Sequence, residues 1–400
     1  MNFDRMRALL VERAIRGELV PQLTEDGSIE QVGNGRGLFD IPKSWGWFEF
    51  SKVVKTLSSR GNQIPAKEIC ERGRFPVVTQ SKNSLIDGYS EEEAKLVPKA
   101  FLPLLVFGDH TRFLKYVDFQ FIVGADGTKL IRPKDDGFVN CSYLYYVLRA
   151  LVPETKDRGY SRHFQFLKKL MIPVPPIHEQ CRIVDRVEEL LSEINRAEKA
   201  YEELQTLAGV LRGQILQEAI QGKLVPQMAE EGVVEQIGAA SEEVPFEIPE
   251  SWKWVKLKSV FSMQAGKFIS ASSIQPEGRF PCYGGNGLRG YVDISNRKGR
   301  FPLIGRQGAL CGNVHVVDGE FYATEHAVVV DCGEYGDPDC VGLFLEAMNL
   351  NQYATATAQP GLSVKKIIEL PFPLPPKDEQ ARIVSRVKDL MKQVDALSAR

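Results

Sequence analysis

Arg13-Ala-Ile-Arg-Gly-Glu-Leu-Val-Pro-Gln22 is written a second time in this 400-residue chain, as Glu218-Ala-Ile-Gln-Gly-Lys-Leu-Val-Pro-Gln227. Working outward, Asp40-Ile-Pro-Lys-Ser-Trp-Gly-Trp47 returns as Glu247-Ile-Pro-Glu-Ser-Trp-Lys-Trp254, and Gly73-Arg-Phe-Pro76 as Gly278-Arg-Phe-Pro281. Pro173-Val-Pro-Pro-Ile-His-Glu-Gln180, continued by Arg182-Ile-Val184, returns as Pro373-Leu-Pro-Pro-Lys-Asp-Glu-Gln380 with Arg382-Ile-Val384. Four matches in one order mean a duplicated unit. Between these markers, residues 77–170 and 282–370 show little mutual resemblance. A frame is kept twice and its contents are changed, as expected if the frame holds a common geometry while the inserts face different targets.

The stretch after Pro176 reads as one long helix. Apolar or small residues fall at Ile183, Val187, Leu190, Ile194, Ala197, Tyr201, Leu204, Ala208, Leu211 and Ile215. Steps of four and three give the 3.5-residue period that winds two helices around one another. Glu179 lies in the first turn, where the helix dipole favours an acid, and Gly222 and Pro226 mark the stop. At 1.5 Å per residue this element spans on the order of 65 Å. The C-terminal pattern Ile383, Val387, Leu390, Val394 and Leu397 matches the first half of that helix, and the N-terminal helix to Gly17 matches its second half. Laid end to end, the two terminal helices make a second copy of the central one. The expected fold class is α+β: two mixed α/β globular domains separated by two long antiparallel coiled-coil helices, in a cyclic pseudo-twofold repeat. The expected boundaries are a helix over 1–22, a linker over 23–42, a first domain over 43–176 and a central helix over 177–226. A second linker over 227–248, a second domain over 249–376 and a helix over 377–400 complete the chain. The competing reading of the heptads is that they are core-facing helices.

With 43% hydrophobic and 26% charged residues, the composition is that of a soluble, globular chain long enough for two or three domains. The formal charge of −2 gives no whole-chain hint of nucleic acid, but position matters. Residues 43–172 carry 21 Lys and Arg against 14 Asp and Glu, a net of +7. Residues 178–222 carry 5 against 9, a net of −4, and residues 253–372 carry 12 against 11, a net of +1. Seven cysteines without a C-x-x-C pair, and five scattered histidines, point away from a structural zinc and toward a reducing compartment. The charged start MNFDRMRALLVERAIRG lacks a signal peptide's apolar stretch, and no run approaches a membrane span. The expected location is cytoplasmic.

The duplicated pattern resembles the specificity subunit of Type I restriction-modification systems over nearly the whole chain. The residues that carry the resemblance are Leu19-Val-Pro-Gln22 and Leu224-Val-Pro-Gln227, the two Ile-Pro-x-Ser-Trp-x-Trp stretches, and the two Pro-x-Pro-Pro-x-x-Glu-Gln-x-Arg-Ile-Val stretches. Within the inserts, Phe107-Gly-Asp-His-Thr-Arg112 and Gly159-Tyr-Ser-Arg-His163 look like one kind of target-recognition domain. Tyr283-Gly-Gly-Asn-Gly-Leu-Arg-Gly-Tyr291 and Gly305-Arg-Gln-Gly308 look like another. The resemblance implies a non-catalytic DNA-binding subunit in which each insert, as a target-recognition domain, reads one half of a split double-stranded DNA target. It implies that the helices set the gap and dock two modification (methyltransferase) subunits, and that restriction subunits (an ATP-dependent translocase and endonuclease) join them. No cofactor belongs to this chain on that reading, S-adenosylmethionine being held by the modification subunit. The sequence ends at Arg400 inside the heptad pattern, which on this reading shortens the distal helix.

Base readout needs side chains with two directed hydrogen-bonding atoms, Arg for guanine and Asn or Gln for adenine, with cations nearby for phosphates. In the first insert the candidates are Gln80, Ser81, Lys82 and Asn83 after a strand-like Phe75–Val78, then His110, Thr111, Arg112 and Lys115 after Leu102–Phe107, and Arg162 with His163. The competing reading pairs Asp109 with Arg112 in a solvated turn. In the second insert Asn286, Arg306 and Gln307 sit between glycines, which allow close backbone approach. Tyr283 and Arg289 share the first of those glycine-rich motifs. Lys267, Arg289, Arg297, Lys298 and Arg300 are candidate phosphate contacts. The candidate helix-pairing residues are Ile183, Val187, Leu190, Ile194, Leu204, Leu211, Ile383, Val387, Leu390 and Val394.

Gly285-x-Gly287-x-x-Gly290 spells the dinucleotide-binding string, but Tyr291-Val-Asp-Ile294 after it reads as strand, not helix. Tyr143–Val147 and Leu343–Met348 read as core helices. Trp45, Trp47, Trp252 and Trp254 repeat where the inserts do not, so they read as docking residues of the frame, not as base-stacking platforms. Two other functions stand beside this reading. One is a stand-alone DNA methyltransferase or nuclease, for which the chain lacks an amino-methyltransferase motif and a phosphate loop, and offers only the acidic stretch from Asp87 to Lys95. The other is a coiled-coil scaffold, which the helices fit and the polar-loop inserts do not.

Overall fold

A computed structural model describes residues 1–30, 37–82, 84–125, 127–152, 162–238, 244–308, 310–355 and 360–398. The chain divides into two units, Met1–Ala200 and Tyr201–Arg400. The first opens with α1 (Phe3–Ile15), capped by the Asn2 side chain, which accepts the Arg5 amide. Then follow β1 (Gly46–Glu49), α2 (Phe50–Val53), β2 (Val54–Leu57), β3 (Gln63–Ile64), β4 (Phe75–Val78) and β5 (Gly88–Ser90). Next come β6 (Leu104–Gly108), β7 (Leu114–Val117), β8 (Ile122–Gly124) and β9 (Thr128–Pro133). The unit closes with α3 (Cys141–Leu151), α4 (Phe164–Leu167), β10 (Met171–Val174) and the start of α5 (Ile177–Ile220).

The second unit repeats the plan after the end of α5: β11 (Lys253–Lys256), α6 (Leu257–Val260), β12 (Ser262–Ala265), β13 (Phe280–Gly284) and β14 (Gly287–Val292). It continues with β15 (Arg297–Lys298), β16 (Phe301–Gly305), β17 (Val314–Val317), β18 (Glu320–Ala323) and β19 (Ala327–Asp331). It ends with α7 (Pro338–Ala347), α8 (Val364–Ile367), β20 (Pro371–Leu374) and α9 (Lys377–Ser398). The fold is α+β, written twice.

Among the described residues each unit holds one two-stranded and two four-stranded sheets. In the first the orders are β1-β10, β2-β9-β6-β7 and β3-β8-β4-β5; in the second, β11-β20, β12-β19-β16-β17 and β14-β13-β18-β15. The antiparallel sheet around β6 is therefore reproduced strand for strand around β16. In the other sheet, β4 runs parallel to β8 and antiparallel to β5, just as β13 runs parallel to β18 and antiparallel to β14. The edge differs: β3 joins β8 in parallel, whereas β15 joins β18 antiparallel. Inserts without visible sequence kinship thus share one topology apart from that edge.

The repeated sequence markers are the frame that closes each unit. β1 pairs with β10 (Trp47 opposite Pro173), and β11 with β20 (Trp254 opposite Pro373), so each insert enters and leaves on adjacent strands. The buried Gln180 side chain accepts the Asn140 amide at 2.8 Å and donates to the Phe138 and Pro175 carbonyls at 2.9 and 2.8 Å. Gln380 does the same for Asp337, Tyr335 and Pro375, at 2.6, 2.9 and 3.0 Å. Gln22 donates to Glu179 at 3.0 Å and Gln227 to Glu379 at 2.6 Å, while Trp252 adds an indole N–H to Glu379 at 2.9 Å. Glu179 and Glu379 are therefore first-turn acids of their helices that are also buried acceptors of the frame. Burial pushes both carboxyls above the usual range, against the pull of those donors. Arg182 pairs with Asp26 at 2.5 Å and Arg382 with Glu231 at 2.5 Å. Gly17 and Gly222 end their helices at φ +74° and +68°, where a Cβ would strike Pro42 and Pro249 at 2.4 and 2.5 Å. Leu-Val-Pro-Gln, Ile-Pro-x-Ser-Trp and Glu-Gln-x-Arg recur because each is one side of these contacts.

Each unit carries an antiparallel helix pair. Along α1 and α5, Arg7 meets Asn195 at 2.8 Å and forms an ion pair with Glu198. Along α5 and α9, Gln205 donates to the Ser398 carbonyl at 2.9 Å and Arg212 to Asp395 at 2.6 Å. The heptad reading and the core-facing reading each hold for part of the pattern. Ile183 and Val187 are buried in the first unit's core with Val11, Ala14 and Ile15 of α1 and with Leu144 and Val147 of α3. Ile383, Val387 and Val394 are buried with α7 residues in the second unit. Leu190, Ile194, Leu204 and Leu390 are half-buried. Leu211, expected in the helix seam, is 40% exposed, beside exposed Leu207 and Val210. No helix among the described residues is long and apolar enough to cross a membrane.

Candidate nucleic-acid interface

In both units the polar loops gather at one end of the parallel strand pair. The loop after β4 (Thr79–Ile86) lies against the loop after β6 (Asp109–Phe113): Thr111 Oγ1 donates to the Gln80 carbonyl at 2.7 Å, and Gln80 Oε1 accepts the His110 amide at 3.2 Å. Gly108, the last residue of β6, lets them meet, since a Cβ there would sit 2.1 Å from Thr111 Oγ1 and 2.8 Å from Gln80 Cβ. Gly305 does the same at the end of β16, where a Cβ would lie 1.9 Å from the Gly285 carbonyl oxygen. The third loop of each set follows β8 and β18. Asp109 donates its amide to Gly127 at 2.8 Å, and Arg306 donates its amide to His326 at 2.8 Å. Asp109 and Arg306 are therefore equivalent positions, as are Gly127 and His326.

What holds the first-insert loop is Asp87, read in sequence only as part of an acidic stretch. Its carboxylate accepts the Thr79 amide at 2.7 Å, the Ser81 and Ser84 hydroxyls, and the Lys115 ammonium at 2.7 Å. Burial alone would raise this carboxyl, but the bonds from Lys115, Ser81 and Thr79 outweigh it and hold it below the usual range. Lys115, expected to face DNA, is 3% exposed in this pair: it sits on β7, whose alternation turns it inward. The acidic stretch is thus a fold element at Asp87, and among the described residues no group of three or more His, Cys, Asp or Glu is placed to hold a metal.

His163 is also turned inward. It is 3% exposed, with Nδ1 3.0 Å from the Asp109 carbonyl, and the neighbouring Phe164 amide donates to the Asp109 carboxylate at 2.8 Å. Asp109 further faces Lys129 at 3.9 Å, while Arg112, at φ +61°, donates to the Val152 carbonyl at 2.8 Å. Arg112 thus ties its loop to the end of α3. Ser81 is half-buried and Lys82 and Arg162 are exposed; Asn83 and residues 159–161 lie outside the described residues.

In the second insert, β13 and β14 form a hairpin across Gly285-Asn286. The glycine string runs into β14, as read, and no helix follows it. Gly285, Asn286, Leu288, Arg289, Gln307, Gly308 and His326 line a depression of about 430 Å³. Three expected readers, Asn286, Arg289 and Gln307, thus come together. Arg306 is half-buried, its amide and carbonyl bound to His326 and Leu362, and Gln307 pairs by its backbone with Gly361. Lys267 is exposed, its amide bonded to the Ala323 carbonyl at 3.0 Å. Tyr283 serves the core instead: its ring packs against Phe321 at 5.7 Å.

Three of the expected phosphate contacts are engaged within the protein. Lys298 pairs with Glu320 at 2.7 Å, and Arg300 with Asp339 at 2.6 Å and Asp318 at 3.2 Å. Arg297 donates to the Asn296 carbonyl at 3.1 Å. The tryptophans dock the frame: Trp45 and Trp252 are buried, the latter stacked on Phe344 at 5.8 Å. Sequence reasoning passed over Asp87, Leu288 and His326. No local signal marked the role of any of them.

The Type I restriction modification DNA specificity domain family matches residues 42–205 and 249–400. The chain is 48% identical over 133 residues to the Type I restriction enzyme EcoprrI specificity subunit of Escherichia coli, covering 32% of this chain and 33% of that one. It is 26% identical over 170 residues to the EcoR124I/EcoR124II specificity subunit of Escherichia coli, covering 39% and 42%. The matched stretches thus span less than half the length of these two relatives. The EcoEI specificity subunit, also from Escherichia coli, aligns with 100% of this chain and 91% of its own at 19% identity. Among solved structures, the HsdS subunit from Thermoanaerobacter tengcongensis superposes with a TM-score of 0.55 at 17% identity, covering 91% of this chain and 93% of that one. A chain from a structure describing complex assembly and conformational transition of the type I R-M system gives 0.66 at 18%, covering 90% and 93%. These two share the fold. With both inserts and most of the frame inside the matched segments, the chain belongs to the Type I restriction-modification DNA specificity family, whose curated relatives are specificity subunits.

Proposed function

We propose that this chain is the DNA-reading subunit of a Type I restriction-modification complex, with each insert reading one half of a bipartite duplex target. The helix pairs set the gap between the halves and dock two modification subunits, whose S-adenosylmethionine chemistry this chain directs without catalysing anything itself; restriction subunits join that assembly. The observation that carries the reading is the pairing of one topology with two sets of loop residues. Gln80, Ser81, Lys82, His110 and Thr111 occupy the loop ends in one insert, with Arg162 exposed nearby in the chain. Asn286, Arg289, Arg306 and Gln307 occupy them in the other, with Lys267 beside them. Amide and guanidinium side chains on such loops suit base edges, and the exposed lysines suit phosphates. A protein scaffold has no use for two different polar loop sets held in one frame.

The test is a methylation map of the host genome with the gene intact and deleted, alongside binding by the purified complex with its modification subunit. Loss of one split motif with a fixed gap, and binding that keeps its preference as salt weakens overall affinity, is the expected result. An unchanged map together with a complex that binds all duplexes equally overturns the reading.

A further inference from the structure

We propose that His326 is a specificity-determining residue of the second insert, its imidazole Nδ1 accepting a hydrogen bond from the exocyclic amino group of a base in the second half-site. The inference rests on the reading above and deepens it. His326 ends the turn between β18 and β19, and its backbone is fixed from two sides. Its carbonyl accepts the Arg306 amide at 2.8 Å, and Ala327 closes the turn by donating to the Thr324 carbonyl at 3.0 Å. His326 lines the same depression as Asn286, Arg289 and Gln307. The equivalent position in the first insert is Gly127, which has no side chain to offer.

The ring's polarity follows from its neighbour. His326 Nε2 lies 3.2 Å from Glu325 Oε1, and a carboxylate on that side of the ring favours the neutral tautomer that carries its proton on Nε2. Nδ1 is then left as an acceptor. Arg289 brings only donors, which suit guanine O6 and N7, whereas adenine N6 and cytosine N4 present donors to the major groove. A histidine held in this way complements an arginine beside it: one recognises an amino group, the other the keto edge. A purely structural His326, paired with Glu325 in a solvated turn, would change stability and leave base discrimination untouched.

The experiment uses the full chain in complex with its modification subunit and duplexes carrying the motif identified by methylation mapping. At each adenine or cytosine of the second half-site, the base is replaced in turn by its analogue without the amino group, purine or 2-pyrimidinone. The wild-type complex is expected to bind about 10-fold more weakly when one such amino group is removed. His326→Ala should bind the amino and amino-less duplexes alike at that position, with the salt slope and the first half-site preference unchanged. His326→Gln, which keeps an acceptor, should restore part of the difference, and the melting temperature of both variants checks that they are folded. The proposal is overturned if His326→Ala discriminates as the wild type does, or if it weakens all duplexes equally with a shallower salt slope. A wild-type complex indifferent to every base change in the second half-site would overturn the two-half reading itself, and this proposal with it.

Discussion

The loop after β4 and the hairpin turn after β13 occupy the same place in the two units, yet different chemistry holds them. In the first unit a carboxylate does the work: Asp87 gathers two hydroxyls, one amide and the Lys115 ammonium beneath the loop. In the second the turn shrinks to Gly285-Asn286, and Gly305 admits its backbone at close range. The surrounding frames, by contrast, share their main contacts, from Gln22–Glu179 and Gln227–Glu379 to Gln180 and Gln380. Position is therefore set by shared strand order, while each insert solves locally the problem of keeping its loops in place. That separation lets residues that face outward differ without disturbing what they stand on.

The equivalence of the frames is tested most severely at the tryptophans. Trp45→Ala and Trp252→Ala each empty a fully enclosed site, and each should cost about 3–5 kcal/mol in denaturant unfolding. A large cost in one half and a small one in the other would break the comparison. Next, Asp87→Ala leaves Lys115 charged and buried without its partner, and removal of one member of such a pair costs about 3 kcal/mol or more. Binding to duplexes altered in one half at a time should show selection lost for the first half and kept for the second. Gln180→Ala and Gln380→Ala should each cost about 1–3 kcal/mol, since each strands a buried amide and two carbonyls. The smallest effect is that of acid. Because the Asp87 carboxyl is held below its usual range, its contribution is present above the unfolded-state value and fades as pH falls through the folded one. Hydrogen exchange at the Thr79 amide should accelerate there, while the Gly285-Asn286 hairpin, held through backbone bonds, keeps its protection.

Much of this architecture could be read in the residue order. The frame was visible because its contacts link repeated words: Gln22 to Glu179 and Gln227 to Glu379 are the same bond made twice. The core helices at Tyr143–Val147 and Leu343–Met348 were visible from apolar segments, and they are α3 and α7, the second ending at Ala347. The kinship of the inserts was not, since strand order leaves no mark when side chains change. Lys115 and His163 were read as outward because cations usually are. Nothing local shows that Lys115 meets a carboxylate 28 residues away, or that His163 closes on Asp109 from 54 residues away. Leu211 failed in the other direction, as a heptad letter says which face a residue belongs to but not whether anything covers it.

The strand pairs that close each frame also impose an order of events during folding. Gly46 lies opposite Val174, and Lys253 opposite Leu374. Hairpins such as β6–β7 and β13–β14 need only short loops to close. Joining β1 to β10 directly in an open chain would carry the entropy of a very long loop, so collapse of the intervening insert must first bring its ends together. The frame strands then zip after the insert they enclose. On the ribosome β1 waits, one edge unmatched, until Val174 has emerged, and that waiting edge is the place where a stalled or truncated chain is most exposed to pairing with a stranger.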